Sequence, residues 1–199
     1  VNGLSIEHRG CVRIAARLVD GVIDVSANID ETERLAQAIG AMAKQLEPDD
    51  AARLSQKIVG CIVDPVLTDH DHIRRLVRVQ EILLTRLSSK DAASLAYQYA
   101  DRLCDPSEND IIRMEQIAHL IQSCGAQLES ISVLPITKQL GRYLADPPEN
   151  NRYRIYHIAQ CLAVLAEKLT TDDGTRLAKE SVPSLIARFE ETGWQITQA

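Results

Sequence analysis

Apolar positions along the chain fall into two alternating helical stripes. Leu35, Ala38, Ile39, Met42 and Leu46 stand at i, i+3, i+4, i+7 and i+11, the spacing of one face of an α-helix. The same places 41 residues on hold Leu76, Val79, Leu83 and Leu87, with Gln80 interrupting the column. Ile117, Leu120, Ile121 and Leu128 follow, then Ile158, Cys161, Leu162, Leu165 and Leu169. A second stripe runs between them as Leu54, Ile58 and Ile62, then Leu95, Tyr99 and Leu103, then Ile136, Leu140 and Leu144, with Leu177 and Leu185 in the last copy. Each period therefore predicts two helices, a first and a second.

The punctuation repeats with the stripes. Pro48 follows Glu47 at a first helical position, where its missing N–H costs nothing. Ser88 and Thr170 place a hydroxyl at the N-cap with Asp91 and Asp173 three residues on. Asp is shorter than the Glu or Gln of the usual capping box, which weakens the expected return bond. Asp64-Pro65, Asp105-Pro106 and Asp146-Pro147 close the units, because proline cannot continue a helix. Asn28, Asp69, Asp110 and Asn151 read as N-caps of the next first helix.

One pair of short helices cannot bury both of its stripes, whereas stacked pairs can. The predicted fold is therefore all-α: an α-α superhelix, or solenoid, filling residues 1–199 as one domain. It comprises a half repeat at 8–27, repeats at 28–68, 69–109, 110–150 and 151–191, and a tail at 192–199. The half repeat aligns Ile14, Leu18 and Val22 with Leu54, Ile58 and Ile62, and lacking a partner helix it is expected to expose an apolar flank. In the third unit Pro135 predicts a second helix that starts a few residues late, and Pro183 predicts a kink in the fourth. The tail carries Trp194, the only tryptophan, as a terminal cap or the start of another domain.

The two-helix unit, its period and its closing turn resemble HEAT and armadillo-type repeats. Residues Leu46 to Leu54 are similar to bacterial tandem helical repeats of the form Leu-x-Pro-x-Asp-Ala-Ala-Arg-Leu. The resemblance spans nearly the whole chain. It implies a right-handed stack whose second helices line an inner face, and a scaffold that holds a protein or peptide along it. It does not select a function by itself.

Charge and composition narrow the partners. The net charge of −6 gives no reason to expect nucleic acid or an anionic membrane. Five cysteines with no CxxC read as small packed hydrophobes in a reducing compartment. No signal peptide or membrane-length apolar run is present, so a cytoplasmic setting is expected. The chain lacks an initiator Met and opens within a repeat, which points to a segment of a longer protein.

Equivalent positions line up in rows when repeats stack. One row of the second helices is Arg13, Arg53, Ser94, Pro135 and Arg176; the next is Gln56, Tyr97, Lys138 and Lys179; a third is Arg17, Lys57, Gln98, Gln139 and Glu180. With Arg142 one turn on, they form a mildly basic ladder on an acidic molecule. The residues assigned to partner binding are Arg53, Lys57, Tyr97, Lys138, Arg142 and Lys179, with Tyr97 as anchor. Against this stands the plainer reading of a solvated helix face. Arg74, Arg75 and Arg78, with His119 and His157 on neighbouring exposed rows, read as a solubilising outer face.

Asp69-His70-Asp71-His72 is the one run of metal-ligand types. Four consecutive residues at a helix start converge poorly on one ion, and Asp69 is already a cap. No nucleophile, zinc-protease or phosphate-loop motif occurs, and no catalytic residue, metal or cofactor is assigned. The expected function is a non-catalytic protein-interaction scaffold for a protein or acidic peptide, with end-to-end self-association of exposed stack ends as a further partner mode. The alternatives are an architectural spacer between other domains and, further off, a nucleic-acid-binding or enzymatic HEAT-like protein.

Overall fold

The computed structural model describes residues 6–24, 29–145 and 151–176, together with 179 and 183. Every regular element among them is helical: α1 (Ile6–Ile23), α2 (Ile29–Ala43), α3 (Pro48–Ile62), α4 (His70–Leu84), α5 (Ser89–Leu103), α6 (Ile111–Gly125), α7 (Ser130–Ala145) and α8 (Arg152–Ala166). Helix resumes at residues 171–176. The starts of α2, α4, α6 and α8 are 41 residues apart, as are those of α3, α5, α7 and the stretch at 171.

The caps act as their chemistry dictates. Asp69 accepts from the backbone N–H groups of Asp71 and His72 at 2.9 and 3.0 Å. Asp110 and Asn151 accept from those of Arg113 and Arg154 at 3.1 and 3.2 Å. Ser88 accepts from the Asp91 N–H at 3.1 Å and Thr170 from that of Asp173 at 3.2 Å. The short aspartates do not close the box on the backbone. Each carboxylate accepts from the capping hydroxyl itself. Asp64 and Asp105 turn the chain after α3 and α5 by accepting from the N–H groups of Val66 and Ser107. The corresponding roles of Asn28, Asp146 and Pro147, the stripe positions Leu177 and Leu185, the residues flanking Pro183 on which its kink depends, and Trp194 lie outside the described residues.

Packing follows the stripes. The even-numbered helices contact one another in succession, α2 to α4 to α6 to α8, and the odd-numbered ones do the same from α1 to α7. Each odd helix also packs on the even helix that follows it. Ile39, Leu76, Leu83, Ile117, Ile121 and Ile158 of the even rank and Leu54, Ile58, Tyr99, Leu103, Leu140 and Leu144 of the odd rank are buried in one continuous core. Each aliphatic side chain buried this way contributes about 1.5–3 kcal/mol. α1 behaves as an end helix: Val22 is buried, but Ile14 is 52% exposed, with Ala15 and Val19 taking the inward places.

Two local expectations are corrected. α7 does not start late. It begins at Ser130 and carries Pro135 inside it. Pro135 lies on the exposed side, one turn after the 81% exposed Ile131, so water solvates the ladder gap that the ring leaves. His157 is not on an exposed row. It is 9% exposed and meets Tyr156 edge-on at 5.3 Å.

The core also holds charge. Arg113 is 1% exposed and Arg154 fully buried. Arg113 donates to the carbonyls of Asp64 and Leu67 in the turn between α3 and α4. Arg154 donates to the carbonyl of Glu108 and, at 2.9 Å, to the Tyr143 hydroxyl. The buried Glu108 carboxylate answers with Arg102 at 2.6 Å and Arg113 at 3.6 Å. From the first turns of α6 and α8 these guanidiniums cap carbonyls of the turns that lead into α4 and α6, which ties each of those turns to the next even-numbered helix along.

Candidate binding groove

Of the six residues assigned from sequence, three line one hollow. Tyr97, Lys138 and Arg142 come together; Arg53 and Lys57 do not join them. Tyr97, Cys104, Pro135, Lys138, Gln139, Arg142 and Tyr143 line a hollow of about 510 Å³ between α5 and α7. A second hollow, of about 400 Å³, adjoins it through Tyr97 and Pro135 and reaches Lys90, Ser94 and Ser132. Together they make a groove running along the α5–α7 contact.

The repeat explains why the groove opens here. Pro135 occupies the row that holds Arg53 and Ser94 in earlier units, and its short ring leaves space beside Tyr97. Tyr97 is 44% exposed. It presents an aromatic face to the groove while Tyr143 closes one end, held from behind by Arg154. Lys138 and Arg142 are four residues apart on α7 and so share a face. Among the described residues neither forms an ion pair. Gln139 turns back to Asp101 of α5.

Charge is cancelled elsewhere along the rows. Arg53 pairs with Asp50 at 2.8 Å and Lys57 with Asp20 at 3.0 Å. Arg176 pairs with Asp173 at 2.7 Å. Gln56 and Gln98 bond to each other across α3 and α5. Lys179 is exposed and lines neither hollow. Of the cations assigned from sequence, Lys138 and Arg142 are thus the two that line the groove.

The opposite rank has a hollow of about 460 Å³ that contains Arg74, Arg75, Arg78 and His119. Its charges are internally matched. Arg74 meets Asp71 at 2.9 Å, Arg78 meets Glu33 at 2.7 Å, and His119 meets Glu81 at 2.7 Å. The Asp69-to-His72 run disperses. Asp69 caps α4, His70 bonds Asp110 at 3.0 Å, Asp71 pairs with Arg74, and His72 points into the core.

The thiols are packing groups. Burial pushes Cys104, Cys124 and Cys161 up to about 12 each. Cys104, although it lines the groove, is therefore a poor nucleophile at neutral pH. No helix among the described residues is long and apolar enough to cross a membrane. No protein-family model, curated protein or solved structure is detectably similar to this chain.

Proposed function

We propose that the chain is a segment of a HEAT- or armadillo-like α-solenoid and acts as a non-catalytic scaffold, holding an acidic, extended peptide in the α5–α7 groove. The observation that carries this reading is the convergence of Tyr97, Lys138 and Arg142 on one groove, with both cations free of ion pairs to described residues while Arg53 and Lys57 are paired. α5 has 15 residues and so runs about 22 Å, the span of about six or seven extended residues. Tyr97 and Pro135 supply apolar contact, and Lys138 and Arg142 select acidic side chains and speed encounter. Rigid stacking lowers the ordering cost of binding, since the groove exists before the ligand arrives.

Fluorescein-labelled peptides about ten residues long test the reading by anisotropy. One series is Asp/Glu-rich with a central Leu-Pro, and a matched series carries Lys in place of the acids. The acidic series should bind and weaken with salt. Lys138→Glu/Arg142→Glu should weaken it by at least about tenfold without loss of helicity. Equal binding by the wild type and the doubly reversed protein would place the ligand elsewhere.

The spacer reading draws on a different observation. The buried arginines tie α6 and α8 to the turns that lead into α4 and α6, which would stiffen an arm between other domains. On that reading neither peptide series binds.

A further inference from the structure

Arg113 and Arg154 have a third counterpart, and it is a histidine. His72 stands 41 residues before Arg113 at the same place in the first turn of α4, and it is 1% exposed. Its ring faces the backbone of Ile23 and the carboxylate of Asp24, at the end of α1, and α1 and α4 are in contact. Ile23 precedes His72 by the same 49 residues that separate Asp64 from Arg113. The place that an always-charged guanidinium holds at the later junctions is thus held at the α1–α4 junction by a group that titrates near neutrality.

The tautomer follows from the neighbour. Arg75 Nη2 lies 3.4 Å from His72 Nδ1. A guanidinium only donates, so Nδ1 accepts and the ring proton sits on Nε2. The charged groups facing the ring are Arg75 and Asp69 on α4 and Asp24 at the end of α1. Burial, then Arg75, holds the imidazole below its ordinary 6.5, against the opposing pull of Asp69 and Asp24.

We infer that His72 makes the α1–α4 junction a pH-sensitive joint, closed when the ring is neutral and loosened when it is protonated. Protonation removes the Nδ1 acceptor and sets a second cation against Arg75. The sign is fixed by linkage. A base with a depressed folded value contributes stability that is fully present above 6.5 and is lost as pH falls from there through the folded value. A guanidinium stays charged throughout this range, so the carbonyl bonds at the later junctions give no such response.

Hydrogen exchange read by mass spectrometry on the peptides of α1 tests this. His70 and His119 face Asp110 and Glu81 across the α4–α6 boundary, and His8 lies within α1, so the comparison with His72→Gln assigns the response. After correction for intrinsic rates, wild-type α1 should lose several-fold protection between about pH 7.5 and about pH 5.5, with α5 unchanged. His72→Gln keeps an acceptor for Arg75 without a titrating charge, and its α1 protection should be flat. Equal protection of wild-type α1 at both pH values overturns the inference, as does an equal fall in His72→Gln. Should that variant not fold, the wild-type His72 ring is titrated by NMR. A value at or above 6.5 also overturns it.

Discussion

Arg154 repeats, one unit along, the bond made by Arg113: each guanidinium donates to a main-chain carbonyl 46 residues earlier, at Glu108 and Leu67 respectively. A charge so deeply buried is tolerated because carbonyls, a carboxylate and a phenol surround it. The pairing explains why the connecting turns after α3 and α5 share a geometry that the turn residues alone would not enforce.

Arg113→Met should therefore be costly. It strands the Asp64 and Leu67 carbonyls and removes one of the two cations from Glu108, leaving Arg102. The expected loss is about 3 kcal/mol. Arg113→Lys keeps the charge but cannot serve two carbonyls and a carboxylate at once, and should lose about 1–2 kcal/mol. Urea midpoints at constant slope give both values. A loss below about 1 kcal/mol for the methionine variant would show that the carbonyls are already satisfied.

Gln80 runs the other way. It is fully buried in the column of Ile39 and Ile121, and neither of its side-chain polar atoms has a hydrogen-bond partner. Replacing a stranded amide with an apolar group of similar size removes a desolvation cost. Gln80→Leu should stabilise the fold by about 1–2 kcal/mol. A destabilised Gln80→Leu protein would reveal a bridging water or a packing demand specific to the amide.

The helix-capping carboxylates predict a separate acid response. The His72 N–H, first among its partners, holds Asp69 below 3.8. Asp110 is also low: burial opposes ionisation there, but the Arg113 N–H and His70 outweigh it. A carboxylate with a depressed folded value contributes stability present above 3.8 and lost as pH falls through the folded value. Asn caps as well as Asp, as Asn151 does in α8. Asp69→Asn/Asp110→Asn should thus match the wild type near neutrality and unfold less steeply with acid below about pH 4. The His72 response begins higher, just below 6.5, so a stability–pH curve separates the two. Identical acid limbs in both proteins would remove the caps from the account.

How much of this was legible in the sequence depends on the range of the contact. The stripes, the caps and the period need only neighbours within a turn or the same place one period on, and they are readable directly. Pro135 misled because proline inside a helix is usually disruptive, whereas on an exposed side its cost is absorbed by water. The buried arginines went unread because a basic residue in a first turn looks solvent-facing, and their acceptors lie 46 to 49 residues back. The signal was there as a column of His72, Arg113 and Arg154. Arg53 and Lys57 are paired with Asp50 and Asp20. The first pair is local and readable, while the second crosses 37 residues between α1 and α3.

That difference between paired and unpaired cations gives a last prediction. Lys57 and Lys138 share the second-helix surface, but Lys57 is held by Asp20 and lies outside the groove, while Lys138 lines it. Lys57→Glu should cost less than about 1 kcal/mol of stability, as an exposed pair does, and leave acidic-peptide affinity within about twofold. Lys138→Glu should spare stability and weaken the peptide several-fold, and Tyr97→Ala should weaken it without changing its salt dependence, since it removes contact area rather than charge. Anisotropy titrations at two salt concentrations separate these outcomes. If Lys57→Glu weakened binding as much as Lys138→Glu, the ligand would be sensing the net field of the molecule, and the groove would lose its claim to be the site.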